Sequence, residues 1–413
     1  MTKRYSGLVA IGAAALLAVA GAAPAAAQET TDIHMVAAAY TKAMQPYFND
    51  LAARFMEENP DINVTVEAVS WDNNALDNKI KTMVAAGEPP DIANLNYFAS
   101  FAADDLLYTA DQIVDQATLD DLIPAFRENS KYEGVEYAVP DLASDRLFFY
   151  NKDILEAAGV EAPPATWSEL EAAAEKIKAY DPNIIPLALP MGSEEAQAEF
   201  LIWAGGNGGT YYDGENWVVN SAENVETLDF LKSLTEKGYT QPNPGSTDRT
   251  KHAWQTLFAT GTAAMVNGAV FLMNEMENTY KSDVDYGVSP FLANDGKESI
   301  TLGVQDYFFG FKKEGNQEAI QKFLSFLFLP DNYAAFLQAA GDFLPATLSA
   351  APLVSANPAL APFIEVLPSA VFYPGDQAEW PAVLGAMQQT IGTAFTGADS
   401  QEVLDTINAA GEQ

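Results

Sequence analysis

The chain has 413 residues, with 57 acidic against 21 basic side chains, two histidines and no cysteine. A formal charge of −36 repels phosphate backbones and anionic lipid headgroups, so nucleic acid is excluded as a partner. Without cysteine there are no disulfides, thiol catalysis, thiolate metal sites or cysteine-linked lipid anchors. The acidic excess reads as a solubility device rather than as a site for a cationic ligand.

The first residues read as an export signal. Lys3 and Arg4 give a positive start, Leu8 to Ala23 is uncharged and apolar, and Ala25-Ala26-Ala27 supplies a small-residue processing site. Cleavage after Ala27 would leave Gln28 as the first mature residue. A soluble protein without a lipid anchor needs an outer barrier to retain it, so the expected location is a Gram-negative periplasm. The remaining length, roughly 386 residues, is too great for one compact core and points to two lobes.

Taken in chain order, strand and helix signals alternate, which argues an α/β fold. His34 to Ala39 is a short apolar strand. Phe48, Leu51 and Phe55 follow at helical spacing until Asn59-Pro60 stops the helix. Ile62, Val64 and Val66 alternate as a half-buried strand, and Asp91 to Leu95 forms another after Pro89-Pro90. Leu147 to Tyr150 is a compact strand. Thr166-Trp167-Ser168-Glu169 is a capping box that opens a helix with Trp167, Leu170, Ala174 and Ile177 on one stripe. Ala263 to Val266 and Ile300 to Phe311 read as strands, and Glu318 to Leu329 as a helix ended by Pro330. Recurrent prolines from Pro345 to Pro374 predict extended or short-helix structure. There are no internal repeats and no charge-rich linker, so the lobes are expected to exchange chain segments.

Several motifs, in order, resemble the family 1 extracellular solute-binding proteins, the maltose- and trehalose-binding type. They are the run Phe55 to Val64, Ala86-Gly87-Glu88-Pro89-Pro90-Asp91-Ile92, Tyr137-Ala138-Val139-Pro140 and Tyr150-Asn151-Lys152-Asp153. Thr166-Trp167-Ser168-Glu169-Leu170, Phe258 to Met265 and Gly341-Asp342-Phe343-Leu344-Pro345 complete the set. The resemblance implies a two-lobed periplasmic-binding-protein fold with three interlobe crossings, near Leu142, Gly303 and Pro330. The amino-terminal lobe would comprise residues 28–142 and 304–329, and the carboxyl-terminal lobe residues 143–303 and 330–413. It further implies a monomer that closes on a sugar, polyol or sugar derivative and is read by the membrane subunits of an ABC importer. No cofactor is implied.

A sugar presents hydroxyl edges and weakly apolar ring faces, so its site calls for planar polar side chains and aromatic rings. Tyr40, Thr41 and Lys42 follow the first strand, although Tyr40 would serve equally as packing under the first helix. Asn96 stands where sugar-binding relatives often carry Asp, with a loop cap as its other role. Asp145 and Arg146, beside Ser144, sit at the first crossing, where Arg146 either faces the ligand or pairs with an acid. If it faces the ligand, an anionic substituent becomes conceivable. Asn267 and Phe271 flank a turn that usually carries a stacking Trp; here that place reads Val270. Gln305 and Asp306 interrupt an apolar strand and need partners. Trp203, Phe343 and Trp380 are aromatic candidates, with core packing the competing role for both tryptophans.

The rival reading is a secreted carbohydrate-active hydrolase using paired carboxylates, for which 57 acids always offer some pair. No Gly-x-Ser-x-Gly elbow, His-Glu-x-x-His motif or phosphate loop occurs.

Overall fold

The computed structural model describes residues 30–70, 74–193, 195–246, 253–341, 343–352 and 357–412. The processing site after Ala27, His252 and Asp342 lie outside the described residues.

Two sheets organise the chain. The larger contains β1 (Thr31–Ala38), β2 (Ile62–Val69), β3 (Ile92–Leu95), β6 (Val139–Ser144), β11 (Thr301–Gly310), β12 (Leu344–Pro345) and β13 (Ala370–Phe372). Its order is β12-β6-β11-β3-β1-β2, with β13 beside the start of β11. The smaller, in the order β10-β7-β9-β8, contains β7 (Leu147–Asn151), β8 (Ile185–Ala188), β9 (Ala263–Gly268) and β10 (Tyr286–Ser289). A separate hairpin joins β4 (Lys131–Tyr132) to β5 (Val135–Glu136).

The alternation of Ile62, Val64 and Val66 is the register in which β2 lies parallel to β1, from Thr31 opposite Ile62 to Ala38 opposite Val69. The Met44–Glu58 helix buries Met44, Phe48, Leu51 and Phe55 on one stripe. That stripe packs in one core with Phe323, Leu324, Tyr333 and Phe336 from the Gln317–Leu327 and Pro330–Ala340 helices. The Trp167–Tyr180 helix buries Trp167, Leu170, Ala174 and Ile177. At its start Glu169 N–H donates to Thr166 Oγ1 at 3.3 Å, while the Glu169 carboxylate accepts from Ala165 N–H at 2.8 Å, one residue before the cap.

Strand direction places the functional edge. β1 and β3 are parallel, β11 runs antiparallel to β3, and β6 runs antiparallel to β11. The ends of β1, β3 and β6 and the start of β11 therefore share one edge of the larger sheet. β12 is antiparallel to β6, so Phe343 just before it reaches the same edge. In the smaller sheet Leu147 pairs with Gly268, which brings the end of β9 to the place where β7 begins. The cleft lies between these two edges, as ligand sites do at the carboxyl ends of α/β strands.

The chain passes from the larger to the smaller sheet at Asp145-Arg146, between β6 and β7, and returns between β10 and β11. The expected third crossing near Pro330 is corrected. The Pro330–Ala340 helix packs on the Met44–Glu58 helix and β12 pairs with β6, so residues 330–345 stand with the amino-terminal lobe. Past Pro345 the chain runs through short helical turns and β13 to the Trp380–Thr390 helix, which packs on the Ala196–Gly205 and Ser400–Asn408 helices of the other lobe.

Candidate functional site

A cavity of about 1150 Å³ opens between the two sheet edges. Of the expected residues, Tyr40, Thr41, Asn96, Arg146, Phe271, Asp306 and Phe343 line it. So do Lys42 and Ser144.

The floor is a buried polar network. Tyr40 Oη donates to Asp306 Oδ2 at 2.7 Å. Asn94, on β3, accepts the Ala38 N–H at 3.0 Å and donates to Asp141 Oδ2 at 3.0 Å. Asp141 owes its position to a β-bulge: Asp306 pairs with Leu142 but Tyr307 with Pro140, leaving Asp141 as the extra residue of β6. Its backbone carbonyl accepts from Tyr333 Oη at 2.6 Å. Burial pushes the Asp306 carboxyl up to about 6, against the Tyr40 hydrogen bond and the Arg146 charge. Burial, reinforced by Asp306, drives Asp141 well above the usual carboxylate range. Burial likewise holds the Tyr40 phenol protonated, which makes it a donor to Asp306.

Arg146 forms one wall. Its guanidinium is buried, lies 5.1 Å from the Phe271 ring centroid, donates to Ser144 Oγ at 3.4 Å and stands 3.8 Å from Glu195. Phe271 thus occupies the wall beside the expected stacking position, while Val270 is buried. Opposite, Tyr40 and Phe343 are tilted with ring centroids 5.3 Å apart and present an apolar surface. Asn96 is half-buried and its side chain makes no hydrogen bond to a described residue. Thr41 Oγ1 donates to Ala339 O at 2.6 Å, satisfying a carbonyl at the end of the Pro330–Ala340 helix. Its position is thereby fixed, with Gly341 in the left-handed conformation (φ 108°) completing that cap.

Four expected contacts are not cavity residues. Trp203 is fully buried, donates to Glu199 Oε1 at 2.7 Å and packs on Phe291 at 5.1 Å. Asn267 donates to the other Glu199 oxygen at 2.8 Å. Both residues serve that buried carboxylate, whose acidity burial shifts to about 7 in spite of the two donors. Gln305 donates to Phe126 O at 2.8 Å and accepts from Asn129 at 3.3 Å, so its polar atoms tie β11 to the short Pro124–Glu128 helix and its cap. Asp145 is wholly buried, and neither oxygen has a hydrogen-bond partner among the described residues. Burial raises its carboxyl to about 8 despite the Arg146 charge. Trp380 is core, stacked at 5.3 Å on Tyr373.

Sequence reading missed the lips. On the Ala75–Ala85 helix, Leu76 and Ile80 are buried while Asp77, Asn78 and Lys81 face the cleft. Lys81 Nζ pairs with Asp77 at 2.9 Å and lies 5.5 Å from the Tyr97 ring, whose hydroxyl also donates to Asp77. The Trp380–Thr390 helix buries Trp380, Val383 and Met387 and turns Pro381, Leu384, Gly385 and Gln388 to the cleft. Asn74 Nδ2 donates to Gln388 Oε1 at 3.1 Å and bridges the lips. Glu195, Gln197, Asn274 and Tyr373 also line the cavity. The usable signal was the i, i+3, i+4, i+7 spacing of a second stripe opposite a buried one.

Among the described residues no cluster of candidate ligands could hold a metal ion, and no helix is long and apolar enough to cross a membrane.

Residues 38–334 match the family model of the bacterial extracellular solute-binding proteins. The chain belongs to that family. A Brucella abortus (strain 2308) protein whose name gives it only a binding role is 31% identical over 357 residues, 85% of each chain. The maltotriose-binding protein of Pyrococcus abyssi is 29% identical over 62% of this chain and 54% of its own length. Among solved structures, maltose-bound MalE3 of T. maritima superposes with a TM-score of 0.78 at 22% identity, covering 93% of this chain and 99% of that one. A Listeria monocytogenes ABC substrate-binding protein in complex with cycloalternan gives 0.76 at 24%, covering 93% and 98%. The fold is therefore that of the two-lobed solute-binding proteins.

Proposed function

We propose that this chain is the solute-capturing component of an ABC importer and that it holds a neutral sugar or oligosaccharide between its lobes without altering it. The observation that carries the reading is the cavity itself. Planar polar groups (Asn96, Arg146, Asp306) and aromatic surfaces (Tyr40, Phe271, Phe343) converge there from both sheet edges. That is the donor, acceptor and ring-face set a sugar requires. Relatives and structural neighbours named for maltotriose, maltose and cycloalternan support the same class.

Other relatives are named for sn-glycerol-3-phosphate, which keeps an anionic solute in view. The local charges favour a neutral one. Four acids, Asp77, Glu195, Glu275 and Asp306, line the cavity against three bases, Lys42, Lys81 and Arg146; Arg146 stands beside Glu195 and Lys81 is paired with Asp77.

The acids also bear on the hydrolase alternative. Asp306 receives the Tyr40 proton donor and Glu195 stands beside Arg146, so these two carboxylates have binding or structural partners. The export-signal pattern of the first residues, the absence of cysteine and the family assignment support periplasmic residence, with importer membrane subunits as partners.

The test is thermal melting of the purified protein with a panel of mono- and oligosaccharides, followed by chromatographic recovery of the sugar. A saccharide that raises the melting temperature and returns unchanged supports capture. Hydrolysed sugar, or no response to any saccharide, would defeat the reading.

A further inference from the structure

The Trp380–Thr390 helix carries a glycine in its interior, Gly385, on the stripe that faces the cleft. A glycine there loosens a helix relative to alanine, so it needs a reason. Close packing is the usual one, but a methyl group placed on Gly385 would meet no described atom within 4 Å beyond its chain neighbours and its own helix backbone. The missing side chain leaves room in the cleft instead.

The surroundings are suited to a polyhydroxylated guest. Pro381 and Leu384 give Gly385 an apolar border on the same helix face. Asn78 on one lip and Gln389 on the other line the cleft, and the amide of each makes no hydrogen bond to a described residue. The cavity volume, about 1150 Å³, also exceeds the roughly 300–1,000 Å³ typical of pockets that hold drug-sized ligands. A single sugar ring is smaller than such ligands.

We propose that Gly385 sets ligand length: the room beside it, between Asn78 and Gln389, forms a lip subsite that takes the far units of an oligosaccharide whose first unit lies against Arg146 and Asp306. This rests on the saccharide-capture reading above and adds a size rule to it. The lip amides meet sugar hydroxyls, and the Pro381–Leu384 surface meets a ring face. A bulkier side chain at position 385 shortens the accepted chain without touching the floor network.

The experiment is calorimetric titration of the full chain with malto-, cello-, xylo- and manno-oligosaccharides of one to five units, using wild type, Gly385→Ala and Gly385→Leu. Melting temperatures of both variants are expected to equal or exceed that of wild type. Wild-type affinity is expected to rise at least tenfold from the single unit to the third in the series that binds. Gly385→Leu should erase that rise while leaving the affinity for the shortest bound member within twofold, with Gly385→Ala intermediate. Equal affinity of wild type for one and three units would overturn the proposal and leave saccharide capture standing. An unchanged length preference in Gly385→Leu would do the same. Should Gly385→Leu not fold, a wild-type length preference in Gly385→Ala counts against the proposal. If no saccharide of any length binds wild type, both the proposal and the reading beneath it fall.

Discussion

Tyr40 Oη donates to Asp306 Oδ2 across 2.7 Å, linking the loop after β1 to the middle of β11, 266 residues later. Both side chains line the cleft, and both belong to the network that holds the bulged β6 in place. The lining of the cleft and the stability of the lobe therefore share this hydrogen bond.

Replacing Tyr40 with Phe keeps the ring against Phe343 and removes the donor. Asp306 then loses its phenolic partner in a buried site, an effect worth about 1–3 kcal/mol. Chemical denaturation should show a loss of that size with an unchanged m-value, and saccharide affinity should drop in parallel. Full stability in Tyr40→Phe would mean that Asp306 draws its support elsewhere.

Arg146→Met keeps bulk and removes the charge that faces Phe271 and Glu195. Loss of a charge-assisted hydrogen bond to a neutral sugar predicts a fall of about tenfold in affinity, close to 1.4 kcal/mol. Wild type should bind the neutral sugar at least as well as its phosphate ester. Tighter binding of the ester, abolished in Arg146→Met, would show the ligand to be anionic.

Trp203 and Asn267 illustrate what the sequence could and could not reveal. An aromatic next to a glycine-rich run and a polar residue at a strand end are fair site candidates on pattern alone. Their common partner, Glu199, lies four residues before one and 68 before the other, and only the fold brings all three together. Gln305 was similar: an amide in an apolar strand had to be satisfied, and Phe126 O and Asn129 satisfy it. By contrast, Phe48, Leu51 and Phe55, the alternation of Ile62 to Val66 and the stripe from Trp167 to Ile177 state their burial through local periodicity, and these elements were legible. The lips were missed, because Asp77, Asn78 and Gln388 have the composition of any solvated helix face and only their spacing marks them. The third crossing was displaced because Pro330 ends one helix and also begins the next, so the chain stays in the same lobe.

Trp203→Phe should accordingly leave saccharide affinity unchanged. It should still destabilise the protein by about 1–3 kcal/mol, because Glu199 loses a buried donor. A large affinity loss without destabilisation would return Trp203 to the binding surface.

Stability should fall as pH rises from about 4 towards 8. Burial raises Asp306 to about 6, Glu199 to about 7 and Asp145 to about 8. Acids with raised values hold protons more tightly when folded. Their contribution is complete below their unfolded values and is lost as pH passes through the folded ones. Scanning calorimetry across this range should show the decline. Asp145→Asn should flatten its upper part, since Asp145 has the highest value and no hydrogen-bond partner among the described residues. An Asp145→Asn profile parallel to wild type between pH 6.5 and 9 would rule Asp145 out as a source.

Small-angle scattering tests most directly the central claim, that two lobes trap an unaltered solute. With a saccharide that raises the melting temperature, the radius of gyration should shrink at one saccharide per chain. It should return on dialysis, with the sugar recovered intact. An unchanged radius at saturation, or a sugar recovered as fragments, would contradict the account.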